Sequence, residues 1–144
     1  MIMMWLTKHK LVSYAHLIFG IVLFIAFAVT GKFMRVDFPD KDAIPQDLRI
    51  LMRSRHIYIL FSSFIHLILG VYLRVESDAR IRSLQHAGSF ILLVSSGLLL
   101  WAWWVETYQL QHFSDVSRQG IYASLAGVSL HFIAGLARVV SSKR

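Results

Sequence analysis

Ser13-Tyr14-Ala15-His16-Leu17-Ile18-Phe19-Gly20 and Ser63-Phe64-Ile65-His66-Leu67-Ile68-Leu69-Gly70 are two copies of one pattern. A thinner third copy runs His131-Phe132-Ile133-Ala134-Gly135. Residues four apart share one face of a helix, about one turn from each other. Each copy therefore sets an imidazole beside a position that has no side chain. Two structures satisfy this pattern. One is a flat cofactor lying against the helix and gripped by the histidine. The other is close helix packing around a buried histidine.

Reading outward from these copies gives the fold class. They lie in apolar runs, and crossing a hydrocarbon core of about 30 Å takes about 20 mostly apolar residues. Four runs qualify, at about 11–30, 57–73, 84–105 and 121–140. The chain of 144 residues is 56% hydrophobic with a mean hydropathy of +0.58, above the usual apolar share of a soluble domain. The expectation is an all-α membrane protein, a single integral domain over 1–144. Short connections favour a four-transmembrane-helix up-down bundle.

The connections carry the charge. The formal net charge is +7, with the bases mainly at the ends of the apolar runs. That distribution suits contact with the lipid bilayer's anionic head groups, and no nucleic-acid motif is present. The absence of cysteine excludes disulfides, iron–sulfur clusters and thiolate metal sites. The first run is long and follows Lys8 and Lys10, and Gly31-Lys32 is not a small-residue cleavage site, so no cleaved signal peptide is expected. Pro45 suits a first helical turn with Asp47 at its positive end. Leu48, Leu51, Met52 and Ile59 then recur at helical spacing, so the second helix should start outside the bilayer. Trp101, Trp103 and Trp104 read as an interfacial aromatic belt like Trp5, with Glu106 in water and a polar turn to Gln119. The N-terminus, the 74–83 loop and the C-terminus hold Lys8, Lys10, Arg74, Arg80, Arg82, Arg138, Lys143 and Arg144 against only Glu76 and Asp78. This bias places both termini in the cytoplasm, in a multi-pass protein of the bacterial inner membrane.

Seven histidines are present. His9, His56 and His112 fall at span ends. His16, His66, His86 and His131 fall one in each span. At about 1.5 Å per residue, His66 and His131 lie roughly 10–12 Å deep, and His16 and His86 roughly 6–9 Å. All four share one half of the membrane. His66 and His131 match best in height, on helices that are commonly diagonal across a bundle. The pattern is similar to small four-span bundles with bis-histidine haem. It leads to a b-type haem (haem b) whose iron takes His66 and His131 as metal ligands, with His16 and His86 as alternates. Gly20, Gly70 and Gly135 would leave room for the ring, and Arg74 and Arg138 would pair with its propionates. Such a protein passes electrons to a quinone or a redox protein.

Other readings of the same residues stay open. The four histidines would also suit copper or another imidazole-loving ion. Without a cofactor they would serve a small transporter or proton relay. An accessory subunit of a larger membrane complex, or a homo-oligomer, needs them only for packing. No phosphate loop, Ser-His-Asp set or HExxH pattern occurs, so no catalytic residue is assigned. The haem reading is checked by the visible spectrum of purified, haem-supplied protein. It expects sharp Soret and alpha bands on reduction, lost in His66→Ala or His131→Ala and kept in His9→Ala.

Overall fold

The computed structural model describes residues 2–38, 40, 43–106 and 115–141, with side chains from Lys10 onward. Four helices follow one another: α1 (Ile2–Asp37), α2 (Gln46–Tyr72), α3 (Ala79–Glu106) and α4 (Asp115–Ser141). Each is long and apolar enough to cross a membrane, α1 from Lys10 onward. The helices outrun the apolar stretches because backbone hydrogen bonding continues through the polar flanks. α1 starts at Ile2, where the sequence reads as a mixed lead-in. α2 starts before the apolar stretch, as Pro45 and Asp47 indicate, with Pro45 as its N-cap residue. Asp78 caps α3: its Oδ1 accepts the N–H groups of Arg80 and Ile81 at 2.9 and 3.1 Å. The bonds from Ile81 and Arg80 favour the charged carboxylate and hold the Asp78 pKa below its ordinary value.

Contacts along the helices establish an up-down course. Ser13 near the start of α1 meets Leu73 beyond the end of α2, while Thr30 meets His56. Ser89 of α3 meets His131 late in α4, while Glu106 meets Ser117. The N-terminal end of α1, the 73–78 connection and the C-terminal end of α4 thus lie together at one end. Packing is dense within two hairpins, α1/α2 and α3/α4, and sparser between them, where α3 touches both α1 and α2.

Glycines set the closeness inside each hairpin. A Cβ on Gly20 would lie 2.9 Å from the Leu67 backbone nitrogen, and one on Gly70 would lie 2.7 Å from the Leu17 backbone. In the second hairpin, Cβ atoms on Gly88 and Gly127 would each lie 3.0 Å from the other's carbonyl oxygen. Small residues let membrane helices approach to backbone contact, which is where dispersion and interhelical hydrogen bonds act. Gly20 and Gly70 therefore do not border an open slot: Leu67 and Leu17 fill that space.

The interior of the bundle mixes polar with apolar side chains, and its outer surface is largely apolar. Among the described residues the buried set includes His16, Thr30, Arg55, Ser62, Ser63, His66, Ser89, Ser95, Ser96 and Glu106. Ile18, Phe61, Ile68, Phe90, Leu125 and Phe132 are exposed. In water that surface would be an adhesive patch. In a bilayer it is the solvent-facing side. The tryptophan belt is only partly superficial: Trp101 and Trp104 are exposed, but Trp103 is buried with Leu23 and Ile59. Its ring meets that of Phe33 edge-on at 5.3 Å. The α3 register turns residue 103 inward, and a cluster read by composition alone does not reveal that.

Gly70→Ala is expected to force α1 and α2 apart and to destabilise by about 1–3 kcal/mol, the usual cost of overpacking. A Cβ at Gly97 or Gly135 meets nothing within 4 Å. Gly97→Ala and Gly135→Ala should be neutral or stabilising by up to about 1 kcal/mol, from helix propensity. Thermal unfolding in detergent measures all three.

Candidate functional site

The repeated pattern meets itself. α1 and α2 run in opposite directions, and the two copies lie side by side with their histidines in contact. His16 Nδ1 and His66 Nδ1 are 2.6 Å apart across fifty residues of chain. Their rings stack with centroids 4.8 Å apart and planes 29° from parallel. Exchanging each residue for its counterpart in the other copy turns the Gly20–Leu67 contact into the Gly70–Leu17 contact. The hairpin therefore has a local two-fold axis between the two imidazoles. The serines that open the copies follow it loosely: Ser63 donates to the Gly20 carbonyl at 2.8 Å, and Ser13 to the Leu73 carbonyl at 3.0 Å.

Both rings are fully buried. His66 Nε2 lies 2.9 Å from Ser96 Oγ of α3, and the Phe19 ring stands edge-on to His66 at 5.2 Å. His16 Nε2 is buried with no hydrogen-bond partner. The pair thus has one satisfied end and one open end. A hydrogen bond between two Nδ1 atoms requires one to carry the proton and the other to accept it. If His16 donates, His66 Nε2 carries a hydrogen and donates to Ser96. If His66 donates, its Nε2 is bare and accepts from the Ser96 hydroxyl. Both tautomer pairs suit the same heavy-atom positions.

The other histidines are placed differently. His131 of α4 is half-buried, 3.2 Å from Ser89 Oγ, and its ring lies edge-on to His16 at 6.3 Å. The expected facing of His66 and His131 is thus replaced by His16 facing His66. The close α1/α2 hairpin brings α1, not α4, against that face of α2. His86 points outward and is exposed. His56 stacks on Phe27 at 4.1 Å and lies 2.9 Å from Thr30 Oγ1, ten residues before His66 in α2. His9 and His112 lie outside the residues whose side chains are described, as do Trp5, Lys8, Lys143 and Arg144. Arg74 is exposed, and Arg138 binds Glu76 through its Nε at 3.0 Å.

The spacing of the two rings bears on an iron or another ion between them. A metal–imidazole bond is about 2.0 Å, so an ion between two nitrogens needs them roughly 4 Å apart. The gap of 2.6 Å suits a proton. The space beside Gly20 and Gly70 holds leucines. Among the described residues, no group of three or more His, Asp or Glu side chains is placed to hold a metal ion.

A second buried polar centre lies at the opposite end. Glu106, expected in water, is 2% exposed, and Arg55 of α2 is 3% exposed. Arg55 Nε lies 3.6 Å from Glu106 Oε2, and an Arg55 guanidinium N–H donates to the Glu106 carbonyl oxygen. The carboxylate also caps α4. Its Oε1 accepts the N–H groups of Val116 and Ser117, and its Oε2 accepts the Ser117 hydroxyl at 2.5 Å. One carboxylate thus ties α2, α3 and α4 together. A signal for Arg55 was present in the sequence. Arg55, Ile59, Ser62, Ser63 and His66 follow helical spacing on one face of α2, and all are buried. Ser89 and Ser96 became partners of histidines only through the docking of α3.

No family model, characterised protein or solved structure matches this chain.

Removing one member of the Arg55–Glu106 pair leaves a buried charge uncompensated. Arg55→Met and Glu106→Gln are each expected to destabilise by about 3–5 kcal/mol. The double variant should lose clearly less than the sum. A double-mutant cycle of unfolding free energies in detergent reads the difference.

Proposed function

We propose that this chain is a small multi-pass membrane protein that handles protons, with His16 and His66 as the proton-carrying pair. The observation that carries the reading is the buried Nδ1–Nδ1 contact of 2.6 Å, which holds one hydrogen between two lone pairs. Ionisable side chains inside a bilayer are costly and mark ion or proton paths by default. Membrane transporters often place such groups at the interface between segments of inverted direction. The local two-fold relation of α1 and α2 is such an interface.

The pair supports a balanced relay. A proton arrives at His16 Nε2, the nitrogen without a partner. His16 Nδ1 passes its hydrogen to His66 Nδ1, and His66 Nε2 passes its own to Ser96 Oγ, whose hydrogen moves on. One proton has entered and one has left, and the pair has changed from one tautomer arrangement to the other. His131 with Ser89 lies beside His16 and is the nearest further station.

The haem b reading and its electron partners draw on the histidine pattern of the sequence, whereas the proton reading draws on that pattern and on the close contact of the rings. The cytoplasmic placement of both termini, in a bacterial inner membrane, is part of the same proposal and draws on the bias of basic residues at that end.

Purified protein in liposomes with an internal pH-sensitive dye tests the proposal. With a pH gradient and a potassium–valinomycin clamp, wild-type protein should dissipate the gradient faster than empty liposomes. His16→Gln and His66→Gln should slow it by about 10²-fold, the scale of one positioned proton-transfer group. His86→Gln, on the exposed face, should leave it unchanged. Equal rates in wild-type, His16→Gln and His66→Gln proteins would refute the relay.

A further inference from the structure

The end of the bundle where Arg55 meets Glu106 carries a cavity of about 560 Å³ between the end of α1 and the start of α2. Its cationic lining is Lys32 and Arg35 from α1 and Arg49 and Arg53 from α2. Lys32 and Arg35 are three apart and Arg49 and Arg53 four apart, so each pair shares one helix face. His56 follows Arg53 three residues on, and its ring is seated against Gly31, where a Cβ would lie 3.3 Å from His56 Cε1. No acid is among the described residues that line the cavity. Its remaining lining is largely apolar, including Phe27 and Met52, and Met52 is 2% exposed.

We propose that this cavity binds a phosphate-bearing amphiphile, the anionic phosphate held by Lys32, Arg35 and Arg53 and the apolar part resting on Phe27 and Met52. Three features carry this. Lys32 and Arg35 on α1 and Arg53 on α2 bring like charges together on facing helices, and an anion among them offsets that repulsion. Guanidinium groups match phosphate oxygens in geometry as well as charge. The volume is far larger than a phosphate needs and falls within the range of organic ligand sites, about 300–1,000 Å³. The height agrees: Lys32 and Arg35 stand just past the apolar run of α1, where lipid phosphates lie. The phosphate chemistry is shared by a bilayer lipid and by a soluble phosphate. The proposal is independent of the histidine pair at the other end.

The test uses the full chain purified in a zwitterionic detergent. Phosphatidylglycerol, phosphatidylcholine and inorganic phosphate are titrated separately, and the readouts are melting temperature and retained lipid by native mass spectrometry. Phosphatidylglycerol should raise the melting temperature saturably and be retained, while phosphatidylcholine should do neither. The triple variant K32Q/R35Q/R53Q changes three exposed side chains and should weaken the apparent affinity about tenfold or more. R53Q alone should weaken it in the same direction. R80Q/R82Q, at the other basic end, should behave as wild type. Saturable stabilisation by inorganic phosphate alone, lost in the triple variant, would support the phosphate site and assign its ligand to a soluble source. Equal responses to both lipids, or equal losses in the R53Q and R80Q/R82Q proteins, would overturn the proposal.

Discussion

Every polar group that a membrane bundle buries must find its partner inside the protein, because hydrocarbon offers none. This chain buries many. It meets the constraint by pairing them across helices as well as within one. His66 bonds His16 and Ser96, Ser95 bonds Ser124, Thr30 bonds His56, and Arg55 bonds Glu106. These bonds are also what orients the helices. Lipid tails are as apolar as leucine, so burial of apolar surface gives little preference for one helix rotation over another. The polar seam supplies that preference, and His16 Nε2 is one place where it is left incomplete.

The hairpin of α1 and α2 shows how a short repeat becomes a site. Two segments with the same order of serine, histidine, leucine and glycine run in opposite directions. Their glycines admit each other's leucines, and the backbones come close enough for the histidines to touch. Close approach and imidazole contact are therefore one feature. The small residue one turn from each histidine is where the partner helix enters.

The two ends of the bundle differ in chemistry. One end holds imidazoles and hydroxyls, whose heavy-atom positions suit either tautomer arrangement. The other holds full charges: a buried arginine–carboxylate pair that caps α4, and beside it a basic cavity with an apolar floor. The buried pair is locked by several bonds to one carboxylate, which suits an anchor. The cavity cations are mostly exposed, which suits capture of something from outside.

The amino-acid sequence alone determined the four apolar helices, the antiparallel course that short connections impose, and the repeat that carries His16, His66, Gly20 and Gly70. Those follow from length, hydropathy and helical spacing, which are local properties. Only the tertiary structure decided which histidines meet. That depends on how far one helix slides and turns against its neighbour, and backbone contacts at Gly20 and Gly70 set this between residues fifty positions apart. The same cause turned Trp103 and Glu106 inward and His86 outward. Along one helix these residues look alike in kind to their neighbours, and only the helix docked against them distinguishes an inner face from an outer one.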